Sequence, residues 1–486
     1  MPRSKKPSAV RRATPSDTHR RRGLFARFAD RIPEVFALFA LTLGSAYALI
    51  VPPLQVPDEF AHLYRAYSVS RGGCLAETDI LLPNSMLEFT RIFRGKIDSV
   101  RAVSSGEIWQ QFRIPLDESR TTRAGYLVAN LYNCVPYLAP ASLLLPARVL
   151  GSPPILLMYL ARFANLIAFV TLTWLGLRLL PDFRLALAAI ALMPMTLHQA
   201  ASVSADSLTF AGIFLLLAYI VRLAYEPMVE HVGLPQLFKL ALLIGLTAST
   251  KFSPWAVLLV LLVPGRKFTS PRIRWIAVSS LLALGLGIGA FWQVVNEPNL
   301  IVLKRQRLDV DVNVETNVKL IRQNPGGFLK SIGRTFLERH EELTSEFVGK
   351  FGWLSVEGKP WVVPAYLILL LLAAGTRTGD ASPGWIARIL IAVLLAVGIC
   401  LLFVALWTLE ARSGYRSLFE RDSAACQVPG IQGRYFIPFA FPLLLLLTWR
   451  KPRLPAGAFS ALAFAVIAIC NVSSLGSILE RFYTPR

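Results

Sequence analysis

The segment PPLQVPDEFAHLYRAYSVSRGG (residues 52–73) follows the first long apolar run, Pro33–Val51. A greasy helix is expected to end here and release the chain into water. Asp58, Glu59, His62 and Arg65 then fall within eight residues. Pro57 suits the first turn of a new helix, where its missing N–H costs nothing. Asp58 and Glu59 would share that turn, where the positive end of the helix dipole favours their ionised forms. On a helix, residues three and four apart share a face, so His62 would meet both carboxylates. Two carboxylates, an imidazole and a guanidinium just outside a bilayer make a seat for base catalysis or for a divalent cation. Acidic residues also cap helices routinely, so spacing alone leaves a purely structural role open.

Working outward, the whole chain reads as a membrane protein. Charged residues make up 17% of its 486 positions, against roughly 25% in soluble domains, and mean hydropathy is +0.51. Several apolar runs approach or exceed the length of about 18 residues needed to cross a bilayer core. Leu443–Leu447 is an unbroken apolar block, not the alternation of a barrel strand. The expected fold is therefore an all-α polytopic membrane protein.

Eleven spans are expected, at about Pro33–Val51, Ile155–Leu180, Leu185–Ala200, Ser207–Ala224, Leu237–Thr250, Pro254–Val263, Trp275–Val295, Pro360–Ala374, Ile386–Thr408, Tyr435–Trp449 and Ala456–Leu475. Two large polar segments interrupt them, 52–153 and 296–358. Residues 124–150 are apolar but broken by Pro136, Pro140 and Pro146, and read as interfacial or half-inserted helices. Residues 1–32 form a basic tail and 476–486 a short carboxy-terminal one. The first 31 residues hold ten Lys/Arg against Asp17 and Asp30. Such a tail reads as a disordered cytoplasmic retention charge rather than a nucleic-acid arm. Alternating the spans puts Arg178/Arg184, Arg222/Lys239, Arg266/Lys267/Arg272/Arg274, Arg377/Arg388 and Arg450/Lys451/Arg453 on the side of that tail, as the positive-inside rule requires. The amino terminus is then cytoplasmic and the carboxy terminus extracytoplasmic. Cys74, Cys134 and Cys426 fall outside; a Cys74–Cys134 disulfide is an option that the sequence does not require. No Cys/His spacing argues for zinc.

This sidedness gathers ionisable groups at one outer rim. Asp58, Glu59, His62 and Arg65 follow the first span. His198 and Asp206 bracket the turn between the third and fourth spans, Lys251 lies between two short spans, and Arg434 and Tyr435 open the tenth. Singly, each has a bland reading as a cap, an interfacial anchor or a packed polar group. Together, a carboxylate base beside several cations is what transfer from an anionic lipid-phosphate donor needs.

PDEFAHLYRAY (57–67), MPMTLHQAASVSADSLT (193–209), STKFSP (249–254), FGWL (351–354) and GRYFIP (433–438) resemble, in order, the bacterial multi-pass membrane proteins of domain of unknown function 2142. That family is similar to GT-C glycosyltransferases, which use polyprenyl-phosphate-linked sugars. The resemblance implies a bacterial inner-membrane protein working on the extracytoplasmic side. Its partners would be membrane lipid, a polyprenyl-phosphate sugar, and a glycan, lipid or protein acceptor. It implies Asp58 as general base, with Glu59 orienting it or helping to hold a divalent cation. Lys251 and Arg434 would contact phosphate, while His62, Arg65, His198, Asp206 and Tyr435 complete the substrate site. Unlike some such transferases, the chain shows no large soluble carboxy-terminal domain, which would leave acceptor choice to 74–150 and 296–358. Two other functions fit the same residues: a flippase for lipid-linked saccharides, and a non-catalytic partner in polysaccharide assembly.

Overall fold

In a computed structural model, residues 30–75, 77, 80–96, 103–125, 127–180, 182–226, 228–251, 254–376, 383–448 and 456–484 are described. Residues 1–29 of the basic tail, Arg377 and Arg450/Lys451/Arg453 lie outside them. The first apolar run forms α1 (Ile32–Ile50), with Pro33 in its first turn. It ends at Val51, which is extended ahead of Pro52, the backbone favoured for a residue preceding proline.

The first large polar segment folds over one end of the helices. It comprises α2 (Glu59–Ser70), β1 (Leu81–Pro83), α3 (Asn84–Arg94), α4 (Ser105–Gln111), β2 (Thr121–Arg123) and α5 (Leu138–Val149). β1 and β2 pair antiparallel, with Leu81 opposite Arg123. At 1.5 Å per residue, the 12 residues of α5 reach only about 18 Å, too short to cross a bilayer. α2 starts later than Pro57 suggested. Leu54 (φ 62°) and Asp58 (φ 61°) both take the left-handed backbone, and these two turns place Glu59, not Pro57, at the first helical position.

The bundle continues with α6 (Pro154–Leu179), α7 (Arg184–Ala191), α8 (Pro194–Ala200), α9 (Asp206–Tyr225), α10 (Leu234–Ala248), α11 (Pro254–Val257) and α12 (Pro271–Val295). A second cap follows, with α13 (Glu297–Asp309), α14 (Val314–Gln323), α15 (Pro325–Val348) and the short β3/β4 pair, Lys350–Phe351 with Val356–Glu357. Then come α16 (Val362–Ala374), α17 (Trp385–Glu410), α18 (Ser413–Arg421), α19 (Ile437–Leu446) and α20 (Ala456–Tyr483).

Six helices among the described residues are long and apolar enough to cross a membrane: α1, α6, α9, α12, α17 and the bulk of α20. The other five of the eleven expected spans are shorter or broken. The third divides into α7 and α8, because Met193 is extended before Pro194. The sixth is four helical residues followed by a 3-10 turn, Leu258–Leu262. The fifth, eighth and tenth are the short helices α10, α16 and α19. α9 is the axis of the bundle, 94% of its most apolar stretch being buried, while α12 is the most peripheral of the six at 17%. α6 runs along α9, and α1 packs on α6 and α20.

The two caps meet. Trp353 Nε1 donates to the Leu54 carbonyl at 3.4 Å. Phe351 packs against Tyr47 of α1 and His198 of α8. Asn317 of α14 donates to the carbonyls of Trp407, Thr408 and Ala411 at the end of α17. All of these contacts lie at the end of the bundle where α1 exits and α9 begins.

Candidate functional site

Asp58 and Glu59 are neighbours with different environments. The Glu59 side chain is wholly buried and pairs with equally buried Arg162 of α6. Arg162 Nε donates to Oε1 at 2.8 Å and Nη2 to Oε2 at 2.6 Å. The backbone N–H groups of Leu54 and Val203 donate to the same carboxylate at 3.1 and 3.0 Å. Four donors fill the roughly four lone-pair positions of a carboxylate, so Glu59 has none left for a cation. The remaining Arg162 protons go to the carbonyls of Ala48, Val51 and Pro52. One ion pair thereby stitches the exit of α1, the start of α2, α6 and the turn before α9.

Asp58, by contrast, is exposed. Its carbonyl accepts from the N–H groups of Ala61 and His62. Its side chain stays within electrostatic reach of His62 and Arg434. A non-glycine residue in the left-handed region costs of order 1 kcal/mol, less for Asp. The Glu59 clamp holds it there.

Around Asp58, four separate segments converge. Asp206, the first residue of α9, pairs with Lys251 at 3.2 Å, their side chains 9% and 12% exposed. The Lys251 ammonium lies 5.9 Å from the Tyr132 ring centre and 5.6 Å from that of Tyr435. Arg434, also buried, lies 5.5 Å from the Tyr435 ring, and its Nε has no partner among the described residues. His62 stacks on Tyr132 and shares a 2.6 Å hydrogen bond between Nδ1 and the Tyr137 hydroxyl. Burial, then the Lys251 charge, holds the His62 imidazole down to a pKa of about 4, so it is neutral near pH 7.

Arg434 is delivered by an unusually close packing. A Cβ on Gly433 would sit 2.0 Å from the Leu343 carbonyl oxygen and 2.5 Å from the Phe347 nitrogen. Only glycine lets this turn lie on the backbone of α15. Glu346 of α15 accepts the Gly433 N–H at 2.6 Å. Burial raises the pKa of that carboxyl group.

Below the charged rim lies a cavity of about 250 Å³. Its mouth carries Asp206, Lys251 and Tyr435, and its walls descend along α9, α17 and α19 through Phe210, Leu402 and Phe439. Gly398 makes room for Trp255 to stack on Phe439, ring centres 4.3 Å apart, at one side of the chamber.

A family model described as a predicted membrane protein, DUF2142, matches residues 41–443. The chain belongs to the DUF2142 family. No curated protein and no solved structure matches it. The match spans every residue of the rim, from Asp58 to Tyr435.

In this DUF2142 chain the expected site residues separate into two sets. Asp58, His62, Asp206, Lys251, Arg434 and Tyr435 come together. Glu59 and Arg65 turn away from them. The Arg65 guanidinium donates to Ser68 and to the carbonyls of Tyr132, Cys74 and Leu75. His198 lies behind the rim against Tyr47 and Phe351, with Nε2 unpartnered among the described residues and Arg434 within electrostatic reach. No group of three or more His, Cys, Asp or Glu able to hold a metal occurs among the described residues. Tyr132, Tyr137, Arg162 and Glu346 were not apparent as site residues from sequence. Arg162 had a signal: a lone arginine inside an apolar run needs a buried partner.

Proposed function

We propose that this protein is a GT-C-type inverting glycosyltransferase of the bacterial inner membrane. It moves a sugar from a polyprenyl-phosphate donor to a glycan, lipid or protein acceptor on the extracytoplasmic side. The observation that carries this reading is the apolar chamber opening beneath a rim where Lys251 and Arg434 stand beside Asp58 and Asp206. An amphiphile with an anionic head fits that shape: prenyl carbons against Phe210 and Phe439, phosphate at Lys251 and Arg434. Asp58, exposed and in reach of Arg434, is the general base.

In the reaction, an acceptor hydroxyl gives its proton to Asp58. The oxygen attacks the anomeric carbon from the face opposite the phosphate. The anomeric C–O bond breaks and polyprenyl phosphate leaves with the electron pair. Lys251 and Arg434 stabilise the charge that builds on it. Glu59 is a positioning residue that fixes the Asp58 turn. The Cys74–Cys134 disulfide, with Cα atoms 4.4 Å apart, supports an oxidising, outer location for this cap.

Mass spectrometry of surface glycans with and without the protein identifies donor and acceptor. Transfer of that labelled sugar in proteoliposomes then tests the mechanism. Asp58→Asn is expected to slow transfer by about a hundredfold or more, the usual contribution of a general base. Undiminished transfer would remove Asp58 as base. Donor movement across the bilayer without a new glycosidic bond would make the protein a flippase instead.

A further inference from the structure

A second groove lies at the other end of the same helices. Its walls come from α6, α9 and α10, with Trp174, Leu179, Leu215 and Leu243 among its apolar lining, and its volume is about 820 Å³. Three cations line it as well, one from each helix: Arg178, Arg222 and Lys239. None of the three pairs with a carboxylate among the described residues, although Glu226 and Glu230 lie on the adjoining link. Lys267 donates to the Glu226 and Val229 carbonyls and holds that link in place.

Distance along the helices separates this groove from the outer rim. Arg162 to Arg178 is 178 − 162 = 16 residues on α6, and Asp206 to Arg222 is 222 − 206 = 16 residues on α9. At 1.5 Å per residue each is about 24 Å, most of a hydrocarbon core of roughly 30 Å. The groove therefore sits at the opposite membrane face from Asp58. Topology alone requires cations anywhere in the loops on that side. It does not require one from each of three helices around a single apolar trough.

We infer that this groove binds a phospholipid of net negative headgroup from the leaflet opposite the site. The phosphate is held by Arg178, Arg222 and Lys239, and an acyl chain lies against Trp174, Leu215 and Leu243. Each cation near an anionic headgroup strengthens binding about fivefold. Losing three is thus expected to weaken binding on the order of a hundredfold.

The test uses the full chain in detergent, titrated with phosphatidylglycerol or phosphatidylcholine, with bound lipid counted by native mass spectrometry and melting followed in parallel. Phosphatidylglycerol is expected to stay bound and raise the melting temperature, and phosphatidylcholine to do neither. The R178Q/R222Q/K239Q triple variant is expected to lose the phosphatidylglycerol response. Leu243→Trp, which fills the trough and keeps every charge, is expected to lose it too. Arg148→Gln, in the outer cap, is expected to keep it. Equal retention of both lipids, or a Leu243→Trp variant that binds like wild type, would overturn the inference.

Discussion

Glu59→Gln would leave the Arg162 guanidinium buried beside a neutral amide. Breaking a buried pair from one side costs roughly 3–5 kcal/mol, so this variant is expected to melt well below wild type. Asp58→Asn touches no buried partner and is expected to stay within about 0.5 kcal/mol of it. Thermal unfolding of the two variants side by side checks the contrast, and equal losses would contradict the division of labour between these neighbours. His62 supplies a pH dependence. Its folded pKa of about 4 lies below the unfolded value of about 6.5. The unfolded chain therefore binds the extra proton, and stability falls as pH drops from about 6.5 towards 4. Above that window the contribution is fully present. Melting curves between pH 7 and 4 are expected to be flatter for His62→Gln than for wild type.

Gly433 shows how one short turn governs the rim. Gly433→Ala drives a methyl group into the backbone of α15, where no flexible side chain can yield. A loss of roughly 1–3 kcal/mol or more is expected, with Arg434 displaced and any lipid-phosphate binding weakened. Gly326→Ala, with open space around the added carbon, is the control for unfolding and binding assays. The sequence made the rim legible because Asp58, Asp206, Lys251 and Arg434 each stand at the end of an apolar run, and sidedness alone puts such ends together. It could not pair Glu59 with Arg162 across 103 residues, nor reveal that Gly433 needs α15. Those are contacts between elements, and no local period encodes them. The short spans were overextended for a related reason. Met193-Pro194 and the 3-10 turn at Leu258–Leu262 break helices inside sequence that is still apolar.

Across the membrane, α9 carries Asp206 at one end and Arg222 at the other, so the charged rim and the second groove must face opposite sides. An impermeant maleimide applied to intact cells after mild reduction is expected to label Cys74, which is exposed, whereas a cysteine placed at Gly265 is expected to be labelled only after lysis. The reverse pattern would invert the topology. The disulfide closes a loop of 60 residues, for which chain entropy gives about 4 kcal/mol; a Cys74→Ser/Cys134→Ser variant is expected to melt correspondingly lower.

The chamber under the rim is small. At about 250 Å³ it has room for only the opening isoprene units of a long carrier, and the rest of such a tail would trail among the surrounding lipids. Recognition would then fall on the head and its nearest carbons, so a synthetic donor with a clipped chain should serve as well as one of natural length.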